Sequence, residues 1–155
     1  MQDVYRDVFT ADEQDILHKA EDILRKRVLN SLYKVSDPRL AVRFLKMKLS
    51  TLQREAFGLL HLDNQHRIVA DQILFYGTID ASPVYPREVI KSVLGFNSAA
   101  VILYHNHPSG VTEASQADHR ITETLKNALS SVDVRILDHF IIGDDYLSFA
   151  ERGYI

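Results

Sequence analysis

The sequence predicts an α/β fold in which two helices lead into a region of alternating strands and helices. The 155-residue length fits one domain with a sizeable core. No glycine occurs before Gly58, so the residues that precede it are suited to helix. Beyond that point, short apolar segments bounded by turn residues alternate with segments of helical periodicity.

Two helices are predicted before Gly58. Thr10 and Glu13 form a capping-box pattern, and a helix is predicted from there to about residue 33. A second helix is predicted to begin near Pro38, with Ser36 or Asp37 as its N-cap. Both carry an apolar stripe at helical spacing, formed by Ile16, Leu17, Ala20, Ile23, Leu24 and Val28 in the first and by Val42, Leu45, Leu49 and Leu52 in the second.

Five strands and two further helices are predicted in the rest of the chain, which gives the order ααββαβαββ. The first two strands are predicted to form a hairpin, because they flank the turn at residues 64–66. The next helix has a proline near its start and apolar residues at helical spacing. In chain order, the predicted segments are strands at 55–63 and 67–79, a helix at 85–97, a strand at 98–107, a helix at 115–131 and strands at 134–143 and 146–151.

Charge and composition narrow the class of protein. The net charge of −3 is mild, so no large basic field is predicted to attract nucleic acid. The basic run at residues 25–27 is interpreted as a solvated helix face. The first residues are acidic and lack the apolar core of a signal peptide, and no apolar run is long enough to span a bilayer. We therefore expect a cytoplasmic protein without a membrane partner.

Residues 104–118, YHNHPSGVTEASQAD, predict a metal site. His105 and His107 stand two positions apart at the end of a predicted strand, so both imidazoles can point to the same side. Asp118 lies in the first turn of the next predicted helix and can fold back toward them. Two histidines and one carboxylate leave a fourth tetrahedral position open, which is typical of catalytic zinc.

These residues also allow other interpretations. Ser115 and Asp118 also have the spacing of an ordinary capping box. A metallo-β-lactamase-type site would need an Asp and a His where Ser109 and Gly110 stand. The paired histidines of amidohydrolases occur on barrels of about 250 residues, which are too long for this chain. A two-histidine, one-carboxylate iron oxygenase stays open on ligand count, although its usual His-x-Asp motif lies in a jelly roll.

The metal-site segment resembles that of a known family. His-x-His, seven residues, Ser, two residues and Asp is the pattern of JAMM (MPN/JAB) metalloproteases. GTID, VYPREVIKSVL, NSAAVILYHNHPSG, LDHFIIG and SFAERGYI resemble the bacterial RadC-like branch in particular, over roughly residues 35–155. The resemblance implies a curved mixed β-sheet sandwiched between helices. We expect residues 1–34 to form an N-terminal helical extension and residues 35–155 to form the metallohydrolase domain.

The same resemblance implies the chemistry of the site. His105, His107 and Asp118 would bind Zn²⁺, and Glu55, on a strand that precedes the metal-site segment, would act as general base. Ser115 would donate a hydrogen bond to the developing oxyanion. The implied reaction is hydrolysis of a peptide or isopeptide bond in a protein or peptide substrate of unknown identity. Asp138 and His139 match a branch-specific segment, as buried strand residues or as neighbours of the ligands.

Two further hypotheses stay open. The first is a DNA repair or recombination factor that acts on or with nucleic acid, but residues 1–34 lack the glycines of the helix-hairpin-helix module of full-length RadC proteins. We expect that module to be absent. The second is a protein-interaction scaffold in which a metal is only structural. The oligomeric state is left open, and the remaining histidines are predicted to be solvated or partly buried: His18, His61, His66 and His119.

Overall fold

The computed structural model describes residues 9–30, 38–77 and 84–155. Within these residues the predicted element order ααββαβαββ is confirmed, and with it the α/β fold class. The elements are α1 (Ala11–Asn30), α2 (Pro38–Leu49), β1 (Ala56–Leu62), β2 (Ile68–Tyr76), α3 (Pro86–Gly95), β3 (Ala100–Asn106), α4 (Gln116–Ser130), β4 (Arg135–Ile142) and β5 (Tyr146–Ser148).

The five strands form one mixed sheet in the order β2-β1-β3-β4-β5. The predicted hairpin of β1 and β2 is present, and β1 also pairs antiparallel with β3. β3 and β4 are parallel, and α4 makes the crossover that a parallel pair requires. This crossover brings the ligand-bearing end of β3 and the first turn of α4 to the same end of the sheet.

Helices cover both faces of the sheet, as the alternation of side chains along β3 shows. Ile102 and Tyr104 pack into a core with α2, whereas Val101 and Leu103 pack into a second core with α3 and α4. Because residues two apart on a strand share a face, His105 continues the row that faces α3 and α4. The central strands β1 and β3 are buried along their whole length.

The start of α1 is as predicted, and its apolar stripe is only partly buried against the core. The backbone N–H of Glu13 donates to Thr10 Oγ1 at 3.3 Å, and that of Thr10 donates to Glu13 Oε2 at 2.8 Å, which is a capping box. Leu24 packs against the core beneath α2. Ile16 and Ile23 are 65% and 59% exposed, so these two residues of the stripe lie outside the core.

The predicted end of the first helix and the predicted start of the second fall partly on residues that the structure does not describe. The predicted end of the first helix near residue 33, and the predicted N-caps Ser36 and Asp37, lie outside the described residues. Pro38 is the first residue of α2, in agreement with its predicted place in the first turn. No helix among the described residues is both long and apolar enough to cross a membrane.

Gly58 allows β1 to pack closely against its neighbours. A Cβ atom at this position would lie 2.4 Å from the ring of Tyr104 and 2.6 Å from the backbone oxygen of Gln72, which is closer than such atoms approach. The Tyr104 hydroxyl donates to Asp71, which also pairs with Lys48 of α2. This cluster joins α2 to the sheet and fixes β3 at Tyr104, next to the candidate ligand His105.

Candidate metal centre

The predicted ligands converge at the end of β3. His105 lies within the strand and is 0% exposed. His107 follows the strand, and its backbone N–H donates to the backbone oxygen of Ile142 at 2.8 Å, so His107 continues the pairing with β4. Asp118 is buried in the first turn of α4. The strand end and the helix start therefore hold the three side chains from two directions.

The distances between the three side chains fit a single metal ion. The Nε2 atoms of His105 and His107 are 3.0 Å apart. Asp118 places Oδ1 at 3.1 Å from His105 Nε2 and Oδ2 at 3.4 Å from His107 Nε2. Nitrogen and oxygen ligands in a tetrahedral zinc site are roughly 3.3 to 3.6 Å apart, from metal–ligand bonds of about 2.0 to 2.2 Å. The donor set is thus suited in type to such an ion, and its separations lie at or slightly below this range.

The hydrogen bonds of His107 leave its Nε2 atom without a hydrogen. Its Nδ1 atom lies 2.8 Å from the backbone oxygen of Val111. A carbonyl oxygen only accepts, so Nδ1 must donate. In the neutral ring the other nitrogen, Nε2, then carries a lone pair that points toward Asp118. Metal-binding histidines are typically held in this way by a hydrogen bond from the second ring nitrogen.

His105 reaches the same state through a longer series of contacts. Thr122 Oγ1 lies 2.7 Å from the backbone oxygen of Asp118 and 2.7 Å from His139 Nδ1. The hydroxyl has one hydrogen and the carbonyl can only accept it, so His139 Nδ1 donates to Thr122. His139 Nε2 is then an acceptor, and His105 Nδ1, at 2.7 Å, must donate to it. His105 Nε2 is left with a lone pair.

Three acceptors, two ring nitrogens and a carboxylate, therefore meet with no hydrogen between them while both rings are neutral. Burial alone would raise the pKa of Asp118, but the hydrogen bonds that His105 and His107 donate to it when protonated outweigh burial and hold the pKa well below its usual range. The hydrogen bond with Asp118 also raises the pKa of His107. Either a proton on His107 or a cation among the three groups can relieve the repulsion of their lone pairs.

Ser115 is the N-cap of α4. Its side-chain oxygen accepts from Asp118 N at 3.1 Å, and its own N–H donates to Asp118 Oδ2 at 2.8 Å. The capping-box interpretation is confirmed, and the same Asp118 carboxylate faces both histidines. Ser115 is exposed, and its cap bond uses the hydroxyl oxygen as an acceptor, so the O–H can donate to another group.

Glu55 lies at the same end of the sheet. It immediately precedes β1 and is half-buried, and its backbone oxygen accepts from Gly77 N at 2.9 Å. Phe57 pairs with His105 across the strands, and their rings stack with centroids 6.2 Å apart. Glu55 is two residues before Phe57, so on extended backbone it lies on the same face as the ligands. Its charge adds to that of Asp118 in raising the pKa of His107.

Sequence reasoning missed the role of Asn106, the residue between the two histidines. Its side chain is 2% exposed and points to the opposite face of β3. The side-chain oxygen accepts from Ala56 N at 2.7 Å, and the side-chain nitrogen donates to the backbone oxygen of Arg54 at 3.1 Å. Asn106 thus holds the backbone on both sides of Glu55. A buried amide at a strand end needs such partners, which was the available signal.

Asp138 and His139 have different roles, which the sequence alone did not separate. His139 contacts His105, as a neighbour of the candidate ligands. Burial holds the pKa of His139 well below its usual value, so the ring is neutral. Asp138 accepts from Ser148 Oγ at 2.6 Å and from Ala150 N at 3.0 Å, so it fixes the chain that follows β5. No sequence pattern pointed to Thr122.

Fold and site together define an α/β domain with a candidate mononuclear metal centre at one end of a mixed sheet. A family model described as a RadC-like JAB domain matches residues 35–154. The chain belongs to this family, which confirms the resemblance seen in the sequence.

Curated relatives carry the name UPF0758 protein. One from Vibrio cholerae serotype O1 (strain M66-2) is 58% identical over 122 residues, which are 78% of this chain and 54% of the relative. One from Vibrio parahaemolyticus serotype O3:K6 is 50% identical over 167 residues, covering 97% of this chain and 75% of the relative. A second Vibrio cholerae protein is 50% identical over 143 residues, which cover 92% of this chain and 90% of the relative. The chain spans about half the length of the first relatives that it matches.

Proposed function

We propose that this domain is a zinc-dependent hydrolase of the JAMM type that cleaves a peptide or isopeptide bond. Its substrate is then a protein or peptide, in the cytoplasm that the sequence predicts. The observation that carries the proposal is the meeting of His105 Nε2, His107 Nε2 and the Asp118 carboxylate, 3.0 to 3.4 Å apart, without a hydrogen to separate them. Such an arrangement opposes folding unless a cation or a proton occupies it.

Two histidines and one carboxylate with an open fourth position are a donor set of catalytic zinc, which is also the metal that the family resemblance implies. When bound, zinc supplies Lewis-acid chemistry, which polarises a scissile carbonyl and makes hydroxide available near neutral pH. The histidines and Asp118 would hold it, and their own hydrogen bonds fix the direction of each ligand atom.

Glu55 and Ser115 supply the proton transfers and the hydrogen bond that the reaction needs. Glu55 takes the proton of the attacking water and later delivers it to the leaving amine. The Ser115 O–H donates to the oxyanion that develops on the carbonyl oxygen. Support for both roles comes from their positions: Glu55 immediately precedes β1 and its charge acts on His107, and Ser115 caps the helix that carries Asp118.

Metal content provides the first test. We expect about one zinc per chain in the purified protein, because one three-ligand site is available. The His105→Ala, His107→Ala double variant should lose most of it, as measured by elemental mass spectrometry, whereas His18→Ala in α1 should keep it. Stoichiometric zinc in the double variant would contradict the assigned site.

Hydrolysis provides the second test. The zinc-loaded protein is incubated with libraries of peptides and of isopeptide-linked peptides, and new amino termini are detected by mass spectrometry. Glu55→Gln keeps the size of the side chain but removes its basic oxygen. It should retain zinc and fold normally, and its turnover should fall by about 10²-fold or more. A zinc-loaded wild-type protein that cleaves neither library, or a fully active Glu55→Gln variant, would count against the mechanism.

A further inference from the structure

Thr122 lies one turn after Asp118 in α4, away from the candidate ligand atoms, yet it is part of a continuous series of buried hydrogen bonds. The series runs from the backbone oxygen of Asp118 through Thr122 and His139 to His105, with each contact at 2.7 Å. Thr122, His139 and His105 are all buried, so water is a poor substitute for any of these partners. Both ends of the series are residues that hold the candidate ligand atoms.

The ordinary interpretation of Thr122 is a helix residue that donates its hydroxyl to the carbonyl four residues before it. Threonine within helices commonly does this, with little consequence beyond the helix. Here the same bond uses the only hydrogen of the hydroxyl, so the oxygen can meet His139 only as an acceptor. The direction of every later hydrogen bond in the series depends on that choice.

We propose that Thr122 is a positioning residue for the metal ligand His105 and acts through His139. By accepting from His139 Nδ1, Thr122 keeps the hydrogen off His139 Nε2. That nitrogen accepts from His105 Nδ1, so the His105 hydrogen stays on the side away from the site, and His105 Nε2 is free to bind zinc. The inference rests on the proposed metal site and deepens it, because it assigns residues outside the ligand set that control which atom of His105 binds.

The surroundings of the rings support a single arrangement of hydrogens. The Phe57 ring lies 6.2 Å from the His105 ring and 5.8 Å from the His139 ring, and the Phe149 ring lies 4.7 Å from His139, as centroid distances. Apolar rings on these sides restrict the imidazoles to their present orientation. The hydrogen positions are then set by Thr122 at one end and by the site at the other.

Removal of the Thr122 hydroxyl should reverse the series. In Thr122→Val, which has nearly the same shape, His139 Nδ1 loses its acceptor, and the tautomer with hydrogen on His139 Nε2 becomes favourable. His139 then donates to His105 Nδ1, and the hydrogen of His105 moves to Nε2, between the candidate ligands. Zinc must displace that hydrogen, so we expect its affinity to fall by about 10- to 100-fold, the usual effect of losing such a partner.

The experiment measures tautomers and metal affinity separately. Long-range ¹H–¹⁵N spectra of the metal-free protein at pH 8 should show His105 and His139 with hydrogen on Nδ1 in the wild type, and on Nε2 in Thr122→Val. Zinc affinity is measured by competition with a chromophoric chelator. Thr122→Ser restores the hydroxyl, so it should return both the tautomers and the affinity close to wild type.

Two results would overturn the inference. One is hydrogen on His105 Nε2 in the wild type, and the other is a folded Thr122→Val variant with wild-type tautomers and unchanged zinc affinity. The wild-type spectrum judges the inference even if Thr122→Val does not fold. A wild-type protein with the expected tautomers but no zinc binding would instead contradict the proposed function, so the two failures are distinguishable.

Discussion

Asn106 offers a test of how the fold holds Glu55. The Asn106→Ala variant removes both hydrogen bonds from its side chain to the backbone beside Glu55. Ala56 is 0% exposed, so its N–H would be left buried without its partner, at a cost of about 1 to 3 kcal/mol. Arg54 is exposed, so water can replace the bond to its carbonyl oxygen, and that loss adds about 1 kcal/mol or less.

The variant should therefore be less stable by about 1 to 4 kcal/mol in urea unfolding monitored by circular dichroism. Its zinc content should stay near wild type, because the Asn106 side chain points away from the ligands. Turnover should nonetheless fall by about 10²-fold, since a shift of about 1 Å in a reacting group has an effect of this size. A positioning role and a purely structural role differ in that last measurement, made on folded protein.

A double-mutant cycle with Glu55→Gln isolates the link between the two residues. If Asn106 acts through Glu55, its removal should cost little further turnover once Glu55 has lost its basic oxygen. Independent effects would instead multiply. Full additivity, or an Asn106→Ala protein with wild-type stability, would refute the reasoning.

Three other predictions follow from particular residues. Burial lowers the pKa of His61 from 6.5 to about 4, so between these pH values the unfolded chain binds one more proton than the folded chain, and a fall in pH destabilises the protein. From pH 8 to pH 5 the free energy of unfolding should drop by about 2 kcal/mol more than in His61→Gln. Equal drops in the two proteins would contradict this prediction. Ser115→Ala should lose about 1 kcal/mol of stability, because the helix cap is removed, and about 10²-fold in turnover, with zinc retained. Thr10→Ala removes the cap of α1 and should lose a similar amount of stability but no turnover. Wild-type turnover in Ser115→Ala would contradict a catalytic role for Ser115. With a net charge of −3, the chain should bind duplex DNA weakly near physiological salt in a fluorescence titration, and nanomolar affinity there would favour a role with nucleic acid.

Local patterns predicted those parts of the molecule that depend on neighbouring residues. The spacing of His105 and His107 predicted that both would face the same way, and the cap at Ser115 predicted the start of α4. Each of these depends on the geometry of a single strand or a single helix turn. The element order followed from the same kind of pattern, read segment by segment.

Features that depend on pairing between distant segments were not predictable in this way. Leu103 lies opposite His139 in the parallel pairing of β3 and β4, and this register brings His139 beside His105. No periodicity in either segment encodes that register. The same applies to His61, which was predicted to be solvated or partly buried. That prediction was wrong, because His61 lies in central strand β1, is 0% exposed and bonds to Ser92 of α3 and to Ser98 in the segment that follows α3.

Asp118 shows why the site is better explained by ligand binding than by folding. As a helix cap partner it needs only the bond from Ser115, and a cap of this kind functions fully on the surface of a protein. Here the carboxylate is buried against two imidazoles, where its charge is costly unless something positive lies beside it. Asparagine would accept the same backbone bond without that cost. The carboxylate, the inward lone pairs and the hydrogen bonds that maintain them are all accounted for by a cation held among the three groups.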